Sequence, residues 1–322
     1  MWELLDALAA QTRLPDECVV VDGGSTDGTV ELLAAWSAPF PLRVIRRPGR
    51  NIAASRNAGI NAAAFDWIAC TDAGCRPVPD WLAAIDAARS SSDFVAGVVE
   101  IEGQTALEQV LALTHYPSTE ELEDLPTWIR LSHRLFGRGY VEERTGGGYM
   151  AFSRSTWEAV GRFPEAVYAG EDRAFTSAVV HAGFRTARSA EAAVKWTPPG
   201  TWMGNARMFY TYSRGDVRAP GRTRHALRLG AWLVAARCAG GGRRARLTIA
   251  VAGMAYIALP LHRAWRGQLP ARDWWRIPLV VAVKDLSQIA GAARGLLDAA
   301  QGVPQPPPRR PRNSSTAEQG RR

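Results

Sequence analysis

The sequence predicts an α/β fold, with a mainly parallel sheet flanked by helices and a helical region of different character after it. Three observations predict it. Short apolar runs alternate with helical segments from Glu17 to Phe94, two of those runs end in an aspartate followed by glycine-bearing turns, and the charge balance inverts past residue 203. At 322 residues the chain has room for one large α/β domain with an appendage, or for two modest domains.

Taken in order, Met1 to Ala10 reads as an amphipathic helix with Leu4, Leu5 and Leu8 on one face, so no cleaved export signal is expected. The following pattern predicts strand 17–21, helix 29–36, strand 42–46, helix 52–64, strand 66–71 and helix 80–90, the last opened by Pro79. Thr105 with Glu108, and Ser155 with Glu158, have the spacing of capping boxes. The irregular stretch 116–145, with Glu120, Glu121, Glu123 and Asp124, is too long for a plain connection. It reads equally as an acceptor-side lid or as a solvated helix pair.

Residues 1–203 carry 18 basic and 26 acidic side chains, whereas residues 204–276 carry 14 arginines against two aspartates. Guanidinium suits bidentate phosphate pairing, although arginine in place of lysine also reflects a GC-rich genome. The uncharged apolar runs 247–261 and 277–283 are each shorter than the roughly 20 residues that a spanning helix needs. Arginines also flank the longer run on both sides, against the positive-inside tendency. Residues 204–302 are therefore expected to lie on an anionic leaflet, at the inner face of the plasma membrane, with a helical subdomain packed on the first domain as the alternative. Residues 303–322 have the composition of a disordered tail. The four cysteines form no CxxC pair and point to a reducing cytosol. No nucleic-acid motif interleaves with the arginines, so no nucleic-acid partner is expected.

Four segments could carry chemistry. Val19 to Thr29 is a buried-strand run that delivers Asp22 and the turn Gly23-Gly24-Ser25-Thr26-Asp27-Gly28 at a strand end, where ligands of open α/β sheets bind. Turn chemistry alone also explains it. Gly49 to Gly59 brings Arg50, Asn51, Arg56 and Asn57 to a helix start, the setting of a diphosphate pocket or of ordinary surface charge. Trp67 to Pro77 ends a strand in Asp72, which could hold Mg²⁺ or Mn²⁺ or cap a turn. Gly146-Gly147-Gly148-Tyr149 leads to Gly170-Glu171-Asp172, adjacent acids at a helix start.

In this order and spacing the segments resemble the family 2 glycosyltransferases of the GT-A fold, whose usual run is VDDGSTDGT, an ARNxG helix, a DxD-like strand end and a GED-type motif. The resemblance covers roughly residues 1–203, and Lys195-Trp196 and Tyr212-Ser213-Arg214-Gly215 look like later family segments. It implies transfer of a sugar from a nucleoside-diphosphate sugar to a saccharide, lipid or polyisoprenoid acceptor, inverting, with Mg²⁺ or Mn²⁺. Asp172 would be the general base and Glu171 its backup. Asp22, Gly24, Ser25, Asp27, Arg50, Asn51, Arg56, Asn57 and Asp72 would line the donor side, Asp72 holding the metal, and Gly147, Gly148 and Tyr149 the acceptor side.

Three departures qualify this. Gly23 replaces an aspartate that commonly reads the base, and Gly74 replaces the last acid of the DxD position. The chain also begins inside the first helix, so the family's first strand is expected to be missing from between strands 17–21 and 66–71, as in a truncated gene model. A degenerate protein that binds a nucleotide sugar or a polyisoprenoid phosphate is the alternative reading. A sugar-1-phosphate nucleotidyltransferase is disfavoured, because no glycine-rich, lysine-bearing phosphate loop is present near the start.

Overall fold

The computed structural model describes residues 1–49, 51–115, 127–129, 131, 148–167, 169–217 and 223–302. Arg50, Gly147, nearly all of the stretch 116–145 and the tail 303–322 lie outside the described residues.

Helix α1 (Trp2–Ala9) buries Leu4, Leu5 and Leu8, the face its spacing predicts. Strand β1 (Cys18–Asp22), helix α2 (Thr29–Ala35), strand β2 (Leu42–Arg46), helix α3 (Ile52–Ala62), strand β3 (Trp67–Cys70), strand β4 (Cys75–Pro77) and helix α4 (Trp81–Arg89) follow within two residues of their predicted bounds, β4 being additional. Then come β5 (Phe94–Ile101), α5 (Ala106–His115), β6 (Met150–Ser153), α6 (Arg154–Ala159), α7 (Glu171–His181) and β7 (Thr186–Trp196).

The sheet is mixed. β1 pairs with β2 in parallel, and a five-stranded sheet runs β3-β6-β5-β7-β4, in which only β5 and β7 are parallel. The βα rhythm imposes parallel pairing only while it lasts. After β5 the chain returns through β6, which inserts antiparallel between β3 and β5. Among the described residues β1 and β3 share no ladder.

Period-two alternation assigns the sheet's two faces. Val95 and Ala151 point toward α1 and α4, packing with Leu4, Leu8, Trp81, Leu82 and Ile85. Their neighbours Phe94, Ala96, Met150 and Phe152 point to the opposite layer, with Ala53 and Ile60 of α3, Trp157 of α6, and Phe175 and Val179 of α7.

Two helix starts differ in how they are capped. At α5 the capping box forms: the Glu108 backbone N–H donates to Thr105 Oγ1 (3.3 Å), and Glu108 Oε2 accepts from the Thr105 N–H (3.0 Å). At α6 Ser155 is already inside the helix and Ser153 is the cap, accepting from the Thr156 N–H at 3.1 Å. The strand β6 runs directly into α6, which moves the cap two residues upstream of the predicted one.

Beyond the sheet lie α8 (Trp202–Asp216), α9 (Thr223–Ala239), α10 (Arg243–Arg266) and α11 (Arg276–Ala300). A boundary at 203/204 falls in the first turn of α8, and α8 packs in both directions. Gly215 approaches so near that a Cβ there would sit 2.3 Å from Ala169 Cβ, beside the turn into α7. On the other side a Cβ at Gly291 of α11 would lie almost on the Tyr210 carbonyl, and one at Gly295 on the Arg214 carbonyl. The two glycines, one turn apart, let the α8 and α11 backbones touch.

Candidate active site

The site is built where β1, β3 and the first turn of α7 come together around α3. Asp22 ends β1 and is buried, with its carboxylate accepting from the Gly24 and Ser25 N–H groups at 3.0 Å each and facing Arg46 Nε in an ion pair at 3.8 Å. Gly24 has φ +92°, which the turn requires and a side chain would resist. Asp22 thus shapes the loop. Asp27 Oδ1 accepts from the hydroxyl (2.7 Å) and backbone N–H (3.3 Å) of Thr29, securing the start of α2.

The two asparagines of the second segment hold scaffold. Asn51 caps α3 by accepting from the Ala54 N–H and donates to the Glu165 carbonyl. Asn57 is buried and saturated: it donates to the Phe163 carbonyl and Glu165 Oε1 and accepts from Trp157 Nε1 and the Phe163 N–H. Both fasten the loop before α7 to α3, so they act on the site through its frame.

Arg56 is the centre. Its side chain is 10% exposed; Nη1 donates to Glu171 Oε1 at 2.6 Å and Nη2 to Asp72 Oδ1 at 2.9 Å, while the guanidinium lies 5.6 Å from the Phe163 ring centroid. Burial works against its charge, but Asp72 and Glu171 overcome that and hold the guanidinium more firmly protonated than in water. Asp72 stays 44% exposed at the end of β3. A Cβ on Gly148 would stand 3.0 Å from Asp72 Oδ2 and 3.0 Å from Cys75 Sγ, so this glycine, expected on the acceptor side, lies directly against Asp72. Tyr149 packs on the core layer of α1 and α4, and its carbonyl accepts from the Gly97 N–H.

Gly170, with φ +87°, turns the chain into α7 and delivers Glu171 and Asp172 as its first two residues. Their surroundings differ. Glu171 is buried, and burial followed by the neighbouring Asp172 charge pushes its carboxyl up to about 7 despite Arg56. Asp172 is half-buried, with a carboxylate oxygen accepting from the Arg173 N–H at 2.7 Å. Opposite stands Tyr212 of α8, itself 49% exposed, whose hydroxyl is pushed up to about 12 by the protein crowding its inner side and by the charges of Asp72, Asp172 and Glu171. The sequence marks Tyr212 only through its late-segment likeness, and only the packing of α8 against the α7 turn shows that it faces the acids.

The fold and this ring of strand-end and helix-start carboxylates define a GT-A-like α/β domain. Residues 1–150, just under half of the chain, match the family described as "Glycosyl transferase family 2". It is 23% identical over 217 residues to the O-antigen chain rhamnosyltransferase WbaN of Salmonella anatum, with 60% of each chain covered. It is 29% identical over 189 residues to the glycosyltransferase AglE of Haloferax volcanii, with 56% of this chain and 57% of that one covered. The chain thus spans about 60% of the length of these curated relatives. Among solved structures, the mannosyltransferase PcManGT from Pyrobaculum calidifontis, in complex with GDP-Man and Mn²⁺, superposes with a TM-score of 0.57 at 19% identity, covering 92% of this chain and 83% of that one. That likeness is one of fold.

Proposed function

We propose that the protein transfers a sugar from a nucleoside-diphosphate sugar to a hydroxyl of a saccharide, lipid or polyisoprenoid acceptor, with inversion, and that Asp172 is the general base. The observation that carries this reading is the Arg56 bridge, because it sets Asp72 and the Glu171-Asp172 pair on two sides of one buried guanidinium. Asp172 takes the acceptor hydroxyl's proton as that oxygen bonds to the anomeric carbon, and the bond from that carbon to the diphosphate oxygen breaks, releasing nucleoside diphosphate. Glu171, clamped at 2.6 Å by Arg56, is the positioning partner rather than a second base. Arg56 holds the two acids in register, and its charge favours the departing diphosphate.

A divalent cation fits this site in one way. Among the described residues no group of three or more His, Cys, Asp or Glu could hold an ion unaided. Asp72 alone could hold Mg²⁺ or Mn²⁺ together with donor phosphate oxygens and water, the sharing that these ions commonly show. When bound, such a cation neutralises charge on the leaving diphosphate.

The test is nucleoside-diphosphate release from a panel of UDP- and GDP-sugars, with and without Mn²⁺, by the full chain and by Asp172→Asn. Release that the variant loses supports transfer. A chain that binds donors without releasing product from any of them fits the degenerate binding protein instead.

A further inference from the structure

We propose that the outer faces of α9 and of the first two thirds of α10 form a docking surface for a membrane leaflet containing anionic lipid, on which α10 lies without crossing. The inference stands on these helices alone and not on the transfer reaction.

One buried carboxylate fixes which sides of the two helices face the protein. Asp285 of α11, 1% exposed, accepts from Tyr256 of α10 at 2.6 Å, pairs with Arg228 of α9 at 3.1 Å and receives Trp232 Nε1 at 3.4 Å. Diametrically opposite Tyr256, at helical spacing, stand Leu247, Val251 and Met254, 64%, 63% and 57% exposed. Opposite Trp232 stand Leu227 and Val234, with Leu233 beside them, all more than 60% exposed. Isolated exposed leucines are ordinary, but two adjacent apolar stripes on packed helices are a patch that calls for an occupant.

Charge identifies it. Arg237, Arg243, Arg244 and Arg246 are exposed around the turn joining the helices, and Arg266 is exposed at the far end of α10. Neither helix contains an aspartate or a glutamate. A second copy docking through these faces would find no acid there to meet the arginines, whereas lipid phosphates meet them and acyl chains meet the stripes.

Length decides between lying and crossing. α10 has 24 residues and is long and apolar enough to cross by composition. However, its last turns belong to the protein core: Leu259, Pro260, Arg263 and Ala264 are buried, Ala264 packs with Leu107, Val110 and Leu111 of α5, and Arg263 donates to the Thr114 carbonyl. The free part, 243–258, spans about 24 Å at the helical rise, short of the roughly 30 Å hydrocarbon core.

Flotation of the full chain with phosphatidylcholine vesicles, with and without phosphatidylglycerol, tests this. The chain is expected to float with the anionic vesicles at 0.15 M salt and to be released by high salt or alkaline carbonate. Replacing Arg243, Arg244 and Arg246 together by Gln should weaken binding about a hundredfold, on the order of fivefold for each arginine. Val234→Glu with Val251→Glu, both at exposed positions, should weaken it at least tenfold, with circular dichroism and vesicle-free donor turnover unchanged. No flotation of the parent, equal flotation of all variants, resistance to carbonate, or a vesicle-free dimer that the glutamates dissociate would each overturn the proposal. Donor turnover is read separately, so failure here leaves the proposed reaction untouched, and the reverse also holds.

Discussion

Two arginine-carboxylate junctions, Arg56 in the α/β domain and Asp285 in the helical region, use the same groups to opposite ends. Around Asp285 everything is closed: the acid is 1% exposed, Arg228 is 9% exposed, and Tyr256 and Trp232 complete its partners. Around Arg56 one acid, Glu171, is buried, whereas Asp72 remains 44% exposed and Asp172 is half-buried. A junction buried on all sides serves stability, even though Arg228 Nη1 finds no hydrogen-bond partner there. A junction that reaches solvent on one side leaves carboxylate oxygens accessible there, and that is where a ligand can act.

The largest effect should come from breaking the closed junction. Asp285→Ala strands the buried Arg228 charge, so it should cost about 3–5 kcal/mol of folding free energy, read from urea unfolding. Donor turnover below the transition should stay near the parent's. Arg56→Gln breaks the open junction and should do the reverse, lowering turnover on the order of a hundredfold while costing less stability than Asp285→Ala, since Asp72 already reaches water. If the two variants lost stability and turnover in equal proportion, the distinction between the junctions would fail.

Gly148→Ala sharpens the comparison at smaller scale. Its Cβ would press on Asp72 Oδ2 and Cys75 Sγ at 3.0 Å, so turnover should fall roughly tenfold, with the unfolding free energy lowered by about 1–3 kcal/mol. A further effect is one of pH. Glu171 titrates near 7 in the folded chain against an ordinary 4.5, so the stability it contributes is complete below about 4.5 and is lost as pH rises through about 7. Urea midpoints should therefore fall more between pH 5 and pH 7.5 for the parent than for Glu171→Gln; an equal fall would remove Glu171 as the cause.

The first half of the chain was legible because its periods are local. Apolar runs and glycine turns placed the elements from α1 to α4 within two residues, and the strand-end aspartates and the Gly-Glu-Asp helix start were found where expected. What sequence could not show depends on contacts between distant segments. β6 pairs antiparallel with both β3 and β5, so the sheet is mixed. Asn51 and Asn57 sit in a motif that reads as donor binding, and each also hydrogen-bonds residues 163–165, more than a hundred positions away, which no local pattern shows. Tyr212 faces the acids only because Gly215, Gly291 and Gly295 let α8 pack tightly on both sides. In α10 a run shorter than a membrane span became part of a longer helix whose end is core, a distinction that depends on α5 rather than on the run.

The central claim is that Asp172 carries the proton and Glu171 carries the geometry, and comparing Asp172→Asn with Glu171→Gln in donor turnover over a pH series tests it most directly. Asp172→Asn should lose turnover by about 10²–10⁴-fold at every pH, whereas Glu171→Gln, which still accepts a hydrogen bond from Arg56, should keep a measurable fraction. Activity that survives in Asp172→Asn and vanishes in Glu171→Gln would contradict it.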